Sequence, residues 1–197
     1  MKKIISTIAV LLLLGILVMP KNAEAVLILG STDFSGIAGF SATVDWEVFA
    51  PGDATSYLAP SGDYHYFYTV DNTSTVSILN SISSFSIGNP TGVPITSVGF
   101  LETGGVDPIL SFSDPAGTFY LFLPLLGFSA IPAGSSSDRL FLTSPLPPSN
   151  VPGGLLALGG ATDTKELPGP AIPEPSSLLL LGAGVLGLVS LKRRMAA

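Results

Sequence analysis

The apolar residues of this chain follow two patterns, continuous runs at both ends and strict alternation between them. At 43–49, TVDWEVF sets Val44, Trp46 and Val48 against Asp45 and Glu47, the period of two expected of a strand with one face in a core. At 63–79, DYHYFYTVDNTSTVSIL places Tyr64, Tyr66, Tyr68 and Val70 on one face. Asp71, Asn72, Thr73 and Ser74 follow as a polar turn, and the β-branched Thr75, Val76 and Ile78 as a return strand, so the stretch predicts a hairpin. Further strands are predicted at 84–88, 96–102, 108–112, 118–125 and 138–144. Gly, Pro, Asn or Asp separates nearly every pair, at intervals near the roughly 8 to 12 residues of sandwiches and barrels. No stretch carries the helical period over three turns.

A single sheet would leave one apolar face bare and forfeit about 25 cal/mol for each Å² of it. The pattern therefore predicts an all-β domain over 26–144, an antiparallel two-sheet sandwich of about seven to nine strands, jelly-roll or immunoglobulin-like. A small barrel is the alternative.

The runs at the ends read differently. Residues 1–25 combine Lys2 and Lys3, an apolar stretch from Ile4 to Met19, Pro20 and the small-residue pattern Ala23-Glu24-Ala25. This is the plan of a secretory signal peptide, with an apolar signal helix, cleavage after Ala25 and the Sec export machinery as partner; an uncleaved signal anchor is the alternative. At the other end, Ser176 to Leu191 forms an apolar run followed by Lys192, Arg193 and Arg194. As a helix those 16 residues span about 24 Å, short of the roughly 30 Å hydrocarbon core. The basic cluster can snorkel to the interface and stop transfer, so a short transmembrane helix is predicted over 176–191.

Between body and tail, residues 145–172 are rich in Pro and Gly and predict a linker, with 163–166 as a solvated spacer. Leu155, Leu156 and Leu158 do not suit a solvated linker. Either they pack back on the sandwich as a late strand, or the domain boundary lies further along.

Composition and charge narrow the chemistry. There is no Cys, which excludes disulfides, thiolate metal sites and a thiol nucleophile. Between 26 and 191 the only cations are Arg139 and Lys165 against thirteen acids, a formal charge of 2 minus 13, or -11. Such a surface repels phosphate backbones, so nucleic acid is not expected as a partner. The other basic residues flank the two apolar runs, where the positive-inside rule wants them.

No catalytic residue and no metal ligand is predicted. The only His, His65, alternates with the Tyr face and is expected on the solvent side of its strand. No Gly-x-Ser-x-Gly elbow accompanies it. Asp33, Asp45, Asp53, Asp63 and Asp71 recur about ten apart, as turn residues would. Calcium is the one cofactor left open, because loops at one end of a sandwich can gather distant carboxylates. Trp46, Tyr64, Tyr66 and Tyr68 could form an aromatic platform for a sugar ring, with core packing as the simpler reading. Asn72-Thr73-Ser74 has the form of a glycosylation acceptor and is read as a turn.

The segment IPEPSSLLLLGAGVLGLVSLKRR at 172–194 resembles the PEP-CTERM protein-sorting signal of Gram-negative bacteria: a Pro-Glu-Pro motif, a short membrane helix and a terminal basic cluster. The resemblance implies that 173–197 is a sorting signal read by an exosortase, a membrane protease expected to cut near Pro173, Glu174 and Pro175. Those three residues would be the recognition signature on a substrate, with the chemistry in the protease. The Leu-Pro-x-Thr-Gly motif of Gram-positive sortase signals is missing, since Leu167-Pro168-Gly169-Pro170 does not match it. Carriers of the signal usually accompany exopolysaccharide production, and Tyr66, Tyr68, Val70 and Asn72 loosely echo a strand found in many of them. The implied route is export across the inner membrane, transient anchoring by the C-terminal helix, and release to the cell surface or beyond. The implied role is that of a noncatalytic protein of the surface or matrix, in contact with extracellular polysaccharide. A carbohydrate-binding or polysaccharide-modifying module is the alternative.

Overall fold

A computed structural model of the chain describes residues 28–172, apart from 54–55, 59–61, 76, 90–91 and 125–128. The predicted signal peptide, its cleavage residues Ala23 and Ala25, the sorting motif 173–175, the membrane helix and the basic cluster lie outside the described residues. Among the described residues the fold is all-β, with ten strands and two short 3-10 turns. The strands are β1 (Ile28–Ser35), β2 (Ser41–Phe49), β3 (Tyr64–Asp71), β4 (Ile82–Gly88), β5 (Ser97–Leu101), β6 (Leu110–Asp114), β7 (Gly117–Leu121), β8 (Arg139–Ser144), β9 (Pro148–Ala157) and β10 (Thr162–Pro170).

They form two five-stranded sheets of order β1-β2-β3-β8-β5 and β10-β9-β4-β7-β6, with every pair antiparallel. The division is five and five, where an immunoglobulin constant domain divides four and three and a jelly roll uses eight strands. Pairings β3–β8 and β4–β7 are nested in sequence, and β3 and β4 lie in different sheets.

Alternation builds the core. Val44 and Val48 of β2, Tyr66, Tyr68 and Val70 of β3, and Leu140 and Leu142 of β8 point inward from the first sheet. Phe85, Ile87, Tyr120, Val151, Leu155 and Leu167 meet them from the second. Three tyrosines in this core each carry a hydroxyl that needs a partner. Tyr68 donates to the Pro168 carbonyl of β10 at 2.6 Å, across the sandwich, and Tyr120 donates to the Phe141 carbonyl of β8 at 2.6 Å in the opposite direction. Tyr66 donates to the Leu146 carbonyl at 2.7 Å, beside the start of β9. Burial pushes the phenols of Tyr66, Tyr68 and Tyr120 well up, so they stay neutral donors.

Two expectations are corrected. The stretch 145–172 is not a linker: β9 and β10 form a long hairpin that completes the second sheet, and 163–166 belong to β10. Its prolines are compatible with that. Pro168 and Pro170 sit on the edge strand, while Pro148 and Pro152 lie outside the part of β9 whose register reaches β4, which runs from Gly153 to Ala157. Gly153 is required here because a Cβ would stand 2.3 Å from Leu167 Cδ1.

The hairpin expected after β3 does not form. Both flanks of β3 are already taken, by β2 and β8, so the chain crosses to the other sheet. Asn72 turns it: its amide nitrogen donates to the carbonyls of Asn80 and Ile131 at 2.9 and 2.8 Å, and its Oδ1 accepts from Ser74 N at 3.1 Å. With 1% exposure and its amide engaged, Asn72 is a buried bracket rather than a turn tip or a glycan acceptor. Ile78, expected in the return strand, sits on a 3-10 turn and is 76% exposed.

Replacing Leu167 by Ala should lower stability by about 2–5 kcal/mol in denaturant unfolding, a cost typical of a core leucine and absent for a linker residue. Tyr68→Phe removes only one hydroxyl yet leaves the Pro168 carbonyl without its donor, and should cost about 1–3 kcal/mol in the same measurement.

Candidate functional site

The tail leaves the sandwich at a defined place. β1 starts beside the end of β2, Phe49 pairs with His65, Tyr64 pairs with Ser144, and Pro148 pairs with Pro170. The start of β1 and the end of β10 therefore lie at one end of the sandwich. Ala171 packs against the core and its N–H donates to the Pro147 carbonyl at 3.4 Å, while Ile172 is 53% exposed. Pro173 follows at once, so the sorting motif is joined to a core-clamped edge strand with no spacer of its own.

The four residues considered for a sugar platform do not share a surface. Tyr66 and Tyr68 are core residues, 0% and 1% exposed. Tyr64 and Trp46 are half-buried against the core. The Trp46 ring covers Gly30, where a Cβ would stand 2.6 Å from it, and its Nε1 donates to Thr32 Oγ1 at 3.4 Å.

The outer face of the first sheet carries a different aromatic group. Phe49, Phe67 and Tyr57 pack edge to face, and the Arg139 guanidinium lies 3.6 Å from the centre of the Tyr57 ring while pairing with Glu47. A shallow groove of about 470 Å³ runs beside them, bounded by Leu29, Ser31, Asp45 and Thr69. His65 points to this face as the alternation predicts, but it is 2% exposed because Ser56 and its loop cover it, with Ser56 Oγ on His65 Nδ1. Burial holds the imidazole below its ordinary value, partly offset by Asp63.

The acids also differ from expectation. Asp33, Asp45 and Asp71 are strand residues on the outer face of the first sheet, not turn residues, and Asp33 and Asp71 align across Thr43. Thr43 Oγ1 donates to Asp33, and Ser136 Oγ to Asp71. Burial first, then the charges of Asp71, Asp33 and Glu47, push the Asp45 carboxyl up. Among the described residues no group of three or more His, Asp or Glu is arranged to hold a metal ion, so no calcium ligand is assigned.

A second carboxylate pair closes the 103–107 loop. Asp138, 1% exposed, accepts from the N–H groups of Thr103 and Gly105 at 3.0 and 2.7 Å. Burial raises its carboxyl, but hydrogen bonds from Asp107, Thr103 and Gly105 outweigh that and hold it below the ordinary range. The hydrogen bond to Asp138, then burial and the charges of Asp138 and Glu102, push Asp107 up to about 6. The N–H groups of Thr103 and Gly105 on Asp138 fasten the loop, with Asp107 beside them. Sequence reading missed the pair because no spacing in the chain announces that 107 and 138 meet.

Residues 171–194 match the family model of the PEP-CTERM protein-sorting motif. The chain thus carries a PEP-CTERM protein-sorting motif at its C-terminal end, and that motif implies exosortase-dependent sorting to the cell surface. No curated protein and no solved structure matches it significantly. Among the described residues no helix is long and apolar enough to cross a membrane; the predicted membrane segment lies beyond them.

The raised Asp107 carboxyl gives a pH test. Asp107 has a folded value near 6 against an ordinary 3.8, so its contribution is full below 3.8 and is lost as pH rises through 6. Asp138 and Asp163, held low, contribute in the opposite sense and lose their share as pH falls through their folded values. The thermal midpoint followed by circular dichroism should therefore decline as pH rises through 6. Asp107→Asn should flatten that decline; an unchanged decline would show that Asp107 is not its source.

Proposed function

We propose that this is an exported, noncatalytic protein of the cell surface or extracellular matrix, delivered through the Sec machinery and sorted by an exosortase, and associated with exopolysaccharide in a biofilm. The sorting-motif match at 171–194 is the observation that carries this reading. In this scheme Pro173, Glu174 and Pro175 are what the protease reads, residues 176–191 hold the chain in the membrane until it is cut, and Lys192, Arg193 and Arg194 stop transfer on the cytoplasmic side.

The place where the tail leaves the body supports it. Five residues, 171–175, separate the end of β10 from the apolar run. Even fully extended they reach only about 17 Å. Before cleavage the sandwich is therefore held at the membrane surface, within reach of an integral membrane protease. The acidic body, at -11 between 26 and 191, is repelled by anionic lipid and leaves that surface once cut.

A second reading, a carbohydrate-binding or polysaccharide-modifying module, is favoured by an aromatic pair on the second sheet, the exposed Phe112 stacked on the half-buried Phe119.

In the producing host, Glu174→Ala or deletion of 192–194 should leave the chain uncleaved in the membrane fraction, and the wild-type chain should be recovered from the surface or medium without its tail. Intact-mass analysis of the recovered protein decides it: a C-terminus still carrying Ala197 would overturn the sorting reading.

A further inference from the structure

The two faces of the sandwich that look outward are chemically unlike. The first sheet turns Asp33, Asp45, Glu47, Asp71 and Arg139 to solvent. On the second, the register sets Thr164, Gly154, Ser86, Phe119 and Phe112 in one line across all five strands. The line on one side runs through Leu156, Ser84, Leu121 and Leu110, and like the first it holds no charge, in a body whose formal charge is -11. The line on the other side, through Pro152, Gly88 and Gly117, ends in Glu166 on β10 and Asp114 on β6, so acids border the strip at two corners.

At one side of this strip the Phe112 and Phe119 rings lie 5.2 Å apart and 21° from parallel, with Phe112 37% exposed. Beside Phe119 a slot of about 210 Å³ opens, bounded by Pro152 and Thr164 and paved by Gly88, Gly117, Gly154 and Ser86. The floor is low because it is glycine: a Cβ at Gly154 would rise to 2.9 Å from Ser86 Oγ, and one at Gly117 to 3.3 Å from the Phe119 ring. The result is an aromatic wall, a low floor of glycine, and hydroxyls from Ser86 and Thr164 along it.

We propose that this strip of the second sheet binds a neutral polysaccharide chain lying across the strands, with a sugar ring against Phe119 and Phe112 and its neighbours over the Gly154 slot. A sugar ring offers an apolar C–H face to the aromatic wall and hydroxyls at its rim to Ser86 and Thr164, and it asks for no countercharge. The surrounding acids select against uronate or phosphate-bearing polymers. A second copy of the chain fits less well. Five strands spaced about 4.8 Å apart and two lines about 7 Å apart cover a few hundred Å², well below the roughly 800 Å² per partner of a stable interface. This inference rests on the polysaccharide-associated reading above.

The test is affinity electrophoresis of the full chain, purified in a nonionic detergent, through gels containing hydroxyethyl cellulose, glucomannan or dextran, with polygalacturonate as the anionic control. At least one neutral polymer should retard the protein, and polygalacturonate should not. Phe112→Ala and Gly154→Val should each weaken that retardation about tenfold, the scale of one lost aromatic contact. Leu29→Ala, on the opposite sheet, should leave it unchanged. Thermal melts of the variants confirm that they are folded, and Phe112→Ala keeps the test valid if Gly154→Val is not. Absence of retardation by every neutral polymer overturns the proposal, as does retardation that both variants leave intact or that polygalacturonate matches. Self-association in sedimentation that Phe112→Ala abolishes would assign the strip to a second copy and equally overturn it. Failure here with normal tail removal in the host strikes only this site, whereas an intact tail on the exported protein strikes only the sorting route.

Discussion

Three tyrosine hydroxyls inside an apolar core impose the constraint on which this sandwich depends. A buried phenol without a partner costs several times what a satisfied one contributes, and here the donors are answered by main-chain carbonyls. Tyr68 reaches from the first sheet to Pro168, and Tyr120 from the second to Phe141. The sheets cannot slide or separate without stranding those groups. Because Pro168 and Leu146 are among the acceptors, the constraint extends to both ends of the β9–β10 hairpin and so to the point where the tail begins.

That linkage joins fold to sorting. A protease substrate is often imagined with a loose spacer before its recognition motif. Here the motif follows an edge strand clamped by Leu167 in the core and by the Tyr68 hydroxyl. The edge itself is protected from pairing with another chain: Pro168 and Pro170 remove donors, and Lys165, Asp163 and Glu166 put charge along it. Asp163 also accepts from Ser35 N at 2.8 Å, tying this edge to the first strand of the other sheet. The strand that leads into the segment another enzyme handles is thus among the well-fastened parts of the body.

Charge divides the surface of the same body. Arg139 and Lys165, the only cations between 26 and 191, are each paired with an acid, Glu47 and Asp163. The remaining carboxylates leave an acidic field over the first sheet, where Asp45 is pushed up by burial and by its neighbours. Repulsion of this kind costs stability and maintains solubility. It also leaves the strip around Phe112 and Phe119, with Asp114 and Glu166 at its margin, as the contrasting surface of the second sheet.

The sequence by itself determined the all-β class, most strand positions and the sorting segment. Alternation at 43–49, 64–70, 84–88 and 138–144 is a local property of side chains, and the Pro-Glu-Pro motif, apolar run and basic cluster are contiguous. Even the hairpin at 148–170 had a legible trace, since Val151, Gly153, Leu155 and Ala157 alternate, but its prolines and glycines masked it as linker composition. Only the tertiary structure decided which strands are neighbours. It filled both flanks of β3 and so sent Asn72 into the interior, drew Tyr66 and Tyr68 into the core, buried His65 under the Ser56 loop, and brought Asp107 to Asp138. It also chose which face of β6 and β7 looks outward, and thereby exposed Phe112 and Phe119. Alternation assigns residues to two faces without saying which is covered; that choice is made by the opposing sheet, from residues far away in the chain.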